Sequence, residues 1–171
     1  YRKNESIDID SKDLEFSKKL MSGGYILHFR HAERDKWIDV QMYDSLESDV
    51  HKNGLNESRL AENDYFKESV CLNNRGQIQA KAIGEHLKNI KFPLGYVISS
   101  PSCRARQTAE IAFNGIDELN RDLVHVGPYI EKKSTRTKKL IDLYKKLPIQ
   151  NGKNTIVSAH NGVIHSQMFE N

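Results

Sequence analysis

Several things are scarce in this 171-residue chain, and each scarcity removes a class of protein. There are two cysteines, Cys71 and Cys103, too few for a disulfide-built scaffold at this length; they could pair, and two free thiols are the preferred reading. No stretch approaches the roughly 18–20 consecutive apolar residues of a membrane-spanning helix. The ten glycines are scattered and form no Gly-x-x-x-x-Gly-Lys run, so no nucleotide-binding phosphate loop is expected. Gly-X-Y periods, heptads and repeats of 20–50 residues are missing too, which sets aside fibrous and solenoid folds. No Cys-x-x-Cys occurs, and His160 and His165 stand five apart rather than at the i, i+4 spacing of a helical zinc motif. No metal and no cofactor is therefore expected. His28, His51, His86 and His125 are read as packing or surface residues.

What is present suits one domain over residues 1–171, long enough to bury a single core. Apolar residues make up 37% and charged ones 29%, polar for a globular chain but not the composition of a disordered one. The net charge of +3 hides local balances of +1 over 1–32, −5 over 33–71 and +7 over 72–171. The basic C-terminal part, with Lys132, Lys133, Arg136, Lys138, Lys139, Lys145 and Lys146, could meet an anionic partner. A solvated helix face explains it equally, and no nucleic acid is expected.

Along the chain, apolar runs alternate with helical periodicity. Leu14, Phe16, Leu20 and Met21 could line a short helix, and Gly23-Gly24 punctuates it. Tyr25–Phe29, Tyr96–Ile98, Leu123–Val126 and Thr155–Ala159 read as strands. A helix capped by Asn73 or Asn74 runs to about Asn89, with Ile78, Ala82, Ile83, Leu87 and Ile90 facing the core. Further helices are expected over about 102–113, with Ala105, Ala109, Ile111 and Ala112 inward, and over 135–147, with Leu140, Ile141, Leu143, Tyr144 and Leu147 inward. This order implies a three-layer α/β/α sandwich with a mostly parallel central sheet. The acidic, weakly periodic stretch at about 34–70 is read as a long insertion, either a substrate-covering flap or a surface excursion.

Three of the strands deliver chemistry at their ends: Arg30-His31, Ser99-Ser100 with Arg104 just beyond, and His160. Ligands of open parallel sheets bind at the strands' carboxyl ends, so these residues should converge. Guanidinium forks match phosphate oxygens, and a neutral imidazole between them can attack phosphorus.

The same residues resemble a known family. Arg30-His31-Ala32-Glu33 is similar to the Arg-His-Gly signature of the histidine phosphatase superfamily, whose fold is phosphoglycerate mutase-like. Leu72-Asn73-Asn74-Arg75-Gly76-Gln77-Ile78-Gln79-Ala80 resembles its Leu-Thr-x-x-Gly-x-x-Gln-Ala block. Ser99-Ser100-Pro101-Ser102-Cys103-Arg104-Ala105-Arg106-Gln107-Thr108-Ala109 is close to its Ser-Ser-Pro-x-x-Arg-Ala-x-Gln-Thr-Ala block, and Ser158-Ala159-His160-Asn161-Gly162 to its final His-x-Gly. The resemblance implies a metal-independent phosphomonoester hydrolase with His31 as the phosphorylated nucleophile and Arg30, Arg104 and His160 around the phosphoryl group. A mutase and a catalytically weak phosphate-binding scaffold are the alternatives. The leaving-group acid is Asp after the second histidine in one branch. Asn161 stands there and cannot supply a proton, though it can bind substrate. In the other branch the acid is a Glu matched here by Glu131, with Glu33 as a substrate-binding residue and fallback acid. The partner implied is a small phosphate ester or a phosphoprotein. Tyr1 rather than Met begins the chain, and only 11 residues follow His160. A removed leader or trimmed start and a missing last element are thus expected, with cytoplasmic and exported locations both open.

Overall fold

The structure is a computed structural model that describes residues 10–35, 67–124, 133–161 and 163. Its centre is a four-stranded sheet of β1 (Ile26–Arg30), β2 (Leu94–Ser99), β3 (Glu118–Leu119) and β4 (Asn154–Ala159), in the order β1-β4-β2-β3. Every pairing in it is parallel. β4 is buried along its whole length because it lies inside the sheet and is covered on both faces. This is why Thr155–Ala159 reads as a continuous run rather than an alternating one.

The two faces are separated by the period-2 alternation of side chains. Val97 and Ile156 point to one layer, with Leu72, Ala80, Ala109, Ala112 and Phe113. Their neighbours Ile98 and Val157 point to the other, with Leu123, Leu140, Leu147 and Val163. The first layer is supplied by α3 (Asn74–Asn89) and α4 (Cys103–Phe113), the second by α5 (Lys133–Lys146). The expected three-layer sandwich with a parallel sheet is the observed one.

The remaining helices are peripheral. α1 (Ser11–Ser22) is capped by Asp10, whose side chain accepts from the Lys12 N–H, and buries none of its residues. Its apolar patch is instead exposed at Leu14, Phe16 and Met21. Asn154 ties it to the sheet: its amide donates to the Leu20 carbonyl at 2.8 Å and accepts from the Tyr25 N–H at 3.2 Å. α2 (Lys67–Val70) is a single turn leading into Cys71.

Four local expectations are corrected. α3 begins at the expected place, with the Asn73 side chain accepting from Gly76 N–H, and Leu87 packs against the core as expected, but the fully buried residues are Gly76 and Ala80. Ile78 is 68% exposed, and Ala82, Ile83 and Ile90 are exposed as well. The reason is distance: along Gly76, Ala80 and Gly84, α3 lies so close to its neighbours that only small residues fit. A Cβ on Gly84 would come within 2.9 Å of the Ile111 carbonyl oxygen, and that layer of α4 leaves no room for a branched side chain. Ile111 of α4 is likewise exposed rather than inward. Of the strand expected over Leu123–Val126, Leu123 instead ends a 3-10 turn, Arg121–Leu123, while 125–126 lie outside the described residues; the described strand nearby is the earlier Glu118–Leu119. Finally, Cys71 and Cys103 form a disulfide with their Cα atoms 4.8 Å apart, not free thiols. Separated by 32 residues, the pair has no local signature; the fold brings the entry to α3 onto the start of α4.

Candidate active site

The parallel register places three strand ends side by side. Arg30 pairs with Ala159 and Ser99 with Ser158. The connections that follow stay in step, since His31 N–H donates to the Ala159 carbonyl at 3.0 Å and Ser100 N–H to the Ser158 carbonyl at 2.9 Å. Residues 129 positions apart in the chain are thereby brought together, as His31 and His160 show: their rings meet edge to face with centroids 5.2 Å apart.

His31 is held in one orientation. Its Nδ1 lies 2.7 Å from the Ala32 carbonyl oxygen, which can only accept, so the proton sits on Nδ1 and the lone pair on Nε2. Burial pushes its pKa down from 6.5 to about 3, and the positive charges of Arg104, Arg30 and Arg34 add to this against the opposing bond to Ala32. The imidazole is therefore neutral at ordinary pH, with a nucleophilic nitrogen in a cationic setting. The open side is a cleft of about 300 Å³ lined by Arg30, His31, Ala32, Glu33, Arg34 and Gln79.

Beneath it lie two deeply buried polar residues, Arg104 and His160, each 1% exposed. Arg104 stands in the first turn of α4. That turn is linked to the His31 loop by Thr108, whose hydroxyl donates to the Arg104 carbonyl at 2.7 Å and accepts the Ala32 N–H at 2.9 Å. His160 Nε2 is hydrogen-bonded to the Ser100 hydroxyl at 3.0 Å. Its backbone carbonyl accepts from His28 Nε2 at 3.3 Å, so His28 Nδ1 accepts from the Tyr144 hydroxyl at 2.7 Å. Burial, opposed by the bond to His160, lowers the pKa of His28, which keeps it neutral in this relay. His28 is thus a packing residue, as expected, but one packed against the backbone of a site residue.

Glu33 has a different environment from the one an acid needs. Gln79 grips it twice, accepting the Glu33 N–H at 3.1 Å and donating to Oε2 at 3.2 Å. Asn73 donates to Oε1 at 3.3 Å, its own N–H reaches the Glu33 carbonyl at 3.2 Å, and Arg75 pairs with Oε1 at 3.5 Å. A carboxylate engaged this way is a clasp between the His31 loop and α3. Gly76 allows the clasp to close, since a Cβ there would meet the Glu33 carbonyl oxygen at 1.9 Å. Asn161 follows His160 and is exposed. Glu131 lies outside the described residues, as do 36–66 of the long insertion.

Of the expected site residues, then, His31, Arg30, Arg104 and His160 are brought together, and Glu33 is close but occupied. Ser100, expected at the end of its strand, is the hydroxyl partner of His160; Thr108 and Gln79 were not singled out from the sequence, although both lie in its motif blocks. Arg136, one of the basic residues of α5, is buried, with its guanidinium donating to the Val124 carbonyl at 2.9 Å. Among the described residues, no group of three His, Cys, Asp or Glu is placed to hold a metal ion, and no helix is long and apolar enough to cross a membrane.

The family model of the histidine phosphatase superfamily (branch 1) matches residues 29–125, more than half of the chain and the stretch that carries the His31 loop and Arg104. The chain belongs to this superfamily. Membership makes it a histidine phosphatase-type enzyme, with a general mechanism that calls for no metal. Comparison with curated protein sequences finds no match. Among solved structures the chain is similar to the product of open reading frame Rv3214 of Mycobacterium tuberculosis, with 18% identity over 79% of this chain and 72% of that one and a TM-score of 0.46. It is also similar to the protein histidine phosphatase SixA complexed with tungstate, with 17% identity over 80% and 69% and a TM-score of 0.43. A phosphoglycerate mutase of Plasmodium falciparum shares 24% identity over 54% and 65%, with a TM-score of 0.41.

Proposed function

We propose that this chain, as one domain, hydrolyses phosphate monoesters by passing the phosphoryl group to Nε2 of His31 and from there to water. The observation that carries this reading is the state of His31: neutral, with Nδ1–H committed to Ala32 and the lone pair on Nε2. Attack forms the N–P bond as the ester P–O bond breaks, and Arg30 and Arg104 offset the charge on the non-bridging oxygens. His160 adds a donor from the buried side, and Asn161 an amide at the rim. The departing alkoxide takes a proton from Glu131, which then draws a proton from the water that cleaves the phosphohistidine. Glu33 serves as the structural clasp rather than the acid. The substrate is a small phosphate ester or a phosphoprotein.

His31→Ala tests the reading. It should abolish hydrolysis of p-nitrophenyl phosphate, and wild-type protein denatured during turnover should carry acid-labile, base-stable phosphate that the variant lacks. Normal turnover by His31→Ala would overturn the proposal.

A further inference from the structure

The disulfide sits at an unusual place relative to the site. Cys103 is the first residue of α4 and the immediate neighbour of Arg104. The helix begins there without a side-chain cap, since Ser102 at its N-cap makes no such bond. α1 and α3, by contrast, are capped by Asp10 and Asn73. A first turn without a cap is the part of a helix most ready to fray, and in α4 that turn carries the buried guanidinium.

The disulfide's other half is tied into the opposite side of the same site. Cys71 stands two residues before Asn73, which caps α3 and holds Glu33. Between them, the Leu72 N–H donates to the Gln107 side-chain oxygen at 2.8 Å. Residues 103 and 107 are one helical turn apart, so the 71–72 segment grips α4 at two successive points on one face. One grip is covalent and lies in the first turn. Val70, Cys71 and Cys103 form a small buried cluster of their own, apart from the two main core layers. Their removal would therefore be felt locally, at the start of α4, more than through the sheet.

We propose that the Cys71–Cys103 disulfide is a positioning device for Arg104, setting how tightly the pocket holds a tetrahedral oxyanion. The inference rests on the reading of Arg104 as a phosphoryl-binding residue. With the bond intact, the first turn of α4 is fixed against the entry to α3, and with it the Arg104 guanidinium, whose charge acts on His31. With the bond cut, that turn loses its covalent grip, and displacement of a binding group by about 1 Å is enough to cost on the order of 10²-fold in rate.

The test uses the whole chain and three ways of opening the bond: Cys71→Ser with Cys103→Ser, Cys71→Ala with Cys103→Ala, and wild-type protein treated with a phosphine. In the last, phosphine and water convert the disulfide to two thiols and the phosphine to its oxide. Tungstate affinity and kcat/KM on p-nitrophenyl phosphate are measured well below each melting temperature, with Arg104→Ala made in the wild-type and double-Ser backgrounds. Opening the bond should weaken tungstate binding and kcat/KM at least about tenfold. In the Arg104→Ala background it should add almost nothing, because the link acts through that residue. Wild-type tungstate affinity after opening, with only a lower melting temperature, would show a purely stabilising bond and overturn the proposal. If both double variants fail to fold, unchanged affinity in the phosphine-treated protein does the same. Tungstate binding by Arg104→Ala at the wild-type level would instead refute the assignment of Arg104 itself.

Discussion

Gly76→Ala offers a direct check on how the His31 loop is held. The added methyl would lie 1.9 Å from the Glu33 carbonyl oxygen and 2.8 Å from its carbon, where ordinary contact begins at 3.4 Å. Neither side can yield cheaply. Gly76 sits in the first turn of α3, and the obstacle is backbone rather than the end of a flexible side chain. Relief requires Glu33 to move by roughly 1.5 Å, which breaks its backbone bonds to Gln79 and Asn73, worth about 0.5–1.5 kcal/mol each. Overpacking adds about 1–3 kcal/mol, and the better helix propensity of alanine returns about 1 kcal/mol. The net expectation is a loss of about 1–5 kcal/mol of stability. The same movement drags Ala32, whose carbonyl orients His31 and whose N–H is held by Thr108. A shift of that size at His31, the proposed nucleophile, should lower kcat/KM about 10²-fold.

Thermal unfolding and p-nitrophenyl phosphate hydrolysis are measured together for Gly76→Ala and for a control, Gly84→Ala. The control also crowds backbone, at 2.9 Å from the Ile111 carbonyl, but on the far stretch of α3. It should lose stability while keeping its turnover per folded molecule. If Gly76→Ala kept both wild-type stability and wild-type kcat/KM, the clasp between α3 and the His31 loop would not exist as described.

Two other expectations follow from the site. Because His31 titrates at about 3 when folded and at 6.5 when unfolded, the unfolded chain binds more protons between those values. Stability therefore falls as pH drops below 6.5, by up to about 1.4 kcal/mol per pH unit from this group. His31→Gln should flatten that slope in chemical denaturation from pH 7 to pH 4, and equal slopes in both proteins would contradict it. Glu131→Gln should slow hydrolysis of alkyl phosphates by roughly 10²–10⁴-fold, yet barely affect p-nitrophenyl phosphate, whose leaving group needs no proton. Glu33→Gln should show no such dependence on the leaving group, and finding it there instead would exchange the two roles.

The motif residues were legible in the sequence because each lies at the end of an apolar run, and a parallel sheet gathers such ends at one edge. Arg30-His31 and His160 needed only the strand pattern to be placed, and Arg104 only the helix that follows β2. Even the Asn73 cap was visible, since a small polar residue before a periodic stretch has one obvious use. Periodicity misled in α3, where Ile78 and Ile83 mark a helical face but not the buried one. Spacing reports which residues share a face; it does not report how near the neighbouring backbone comes, and at Gly76, Ala80 and Gly84 nearness chose the face.

The sequence by itself thus determined the order of elements, the residues delivered at the strand ends and the superfamily, all of which depend on local patterns. Only the tertiary structure decided the rest. It joined Cys71 to Cys103, engaged Glu33 with Gln79 and Asn73, and set His28 behind His160. Each of these depends on a partner far away in the chain, and such partners are chosen by how closely packed layers approach, which no local pattern encodes.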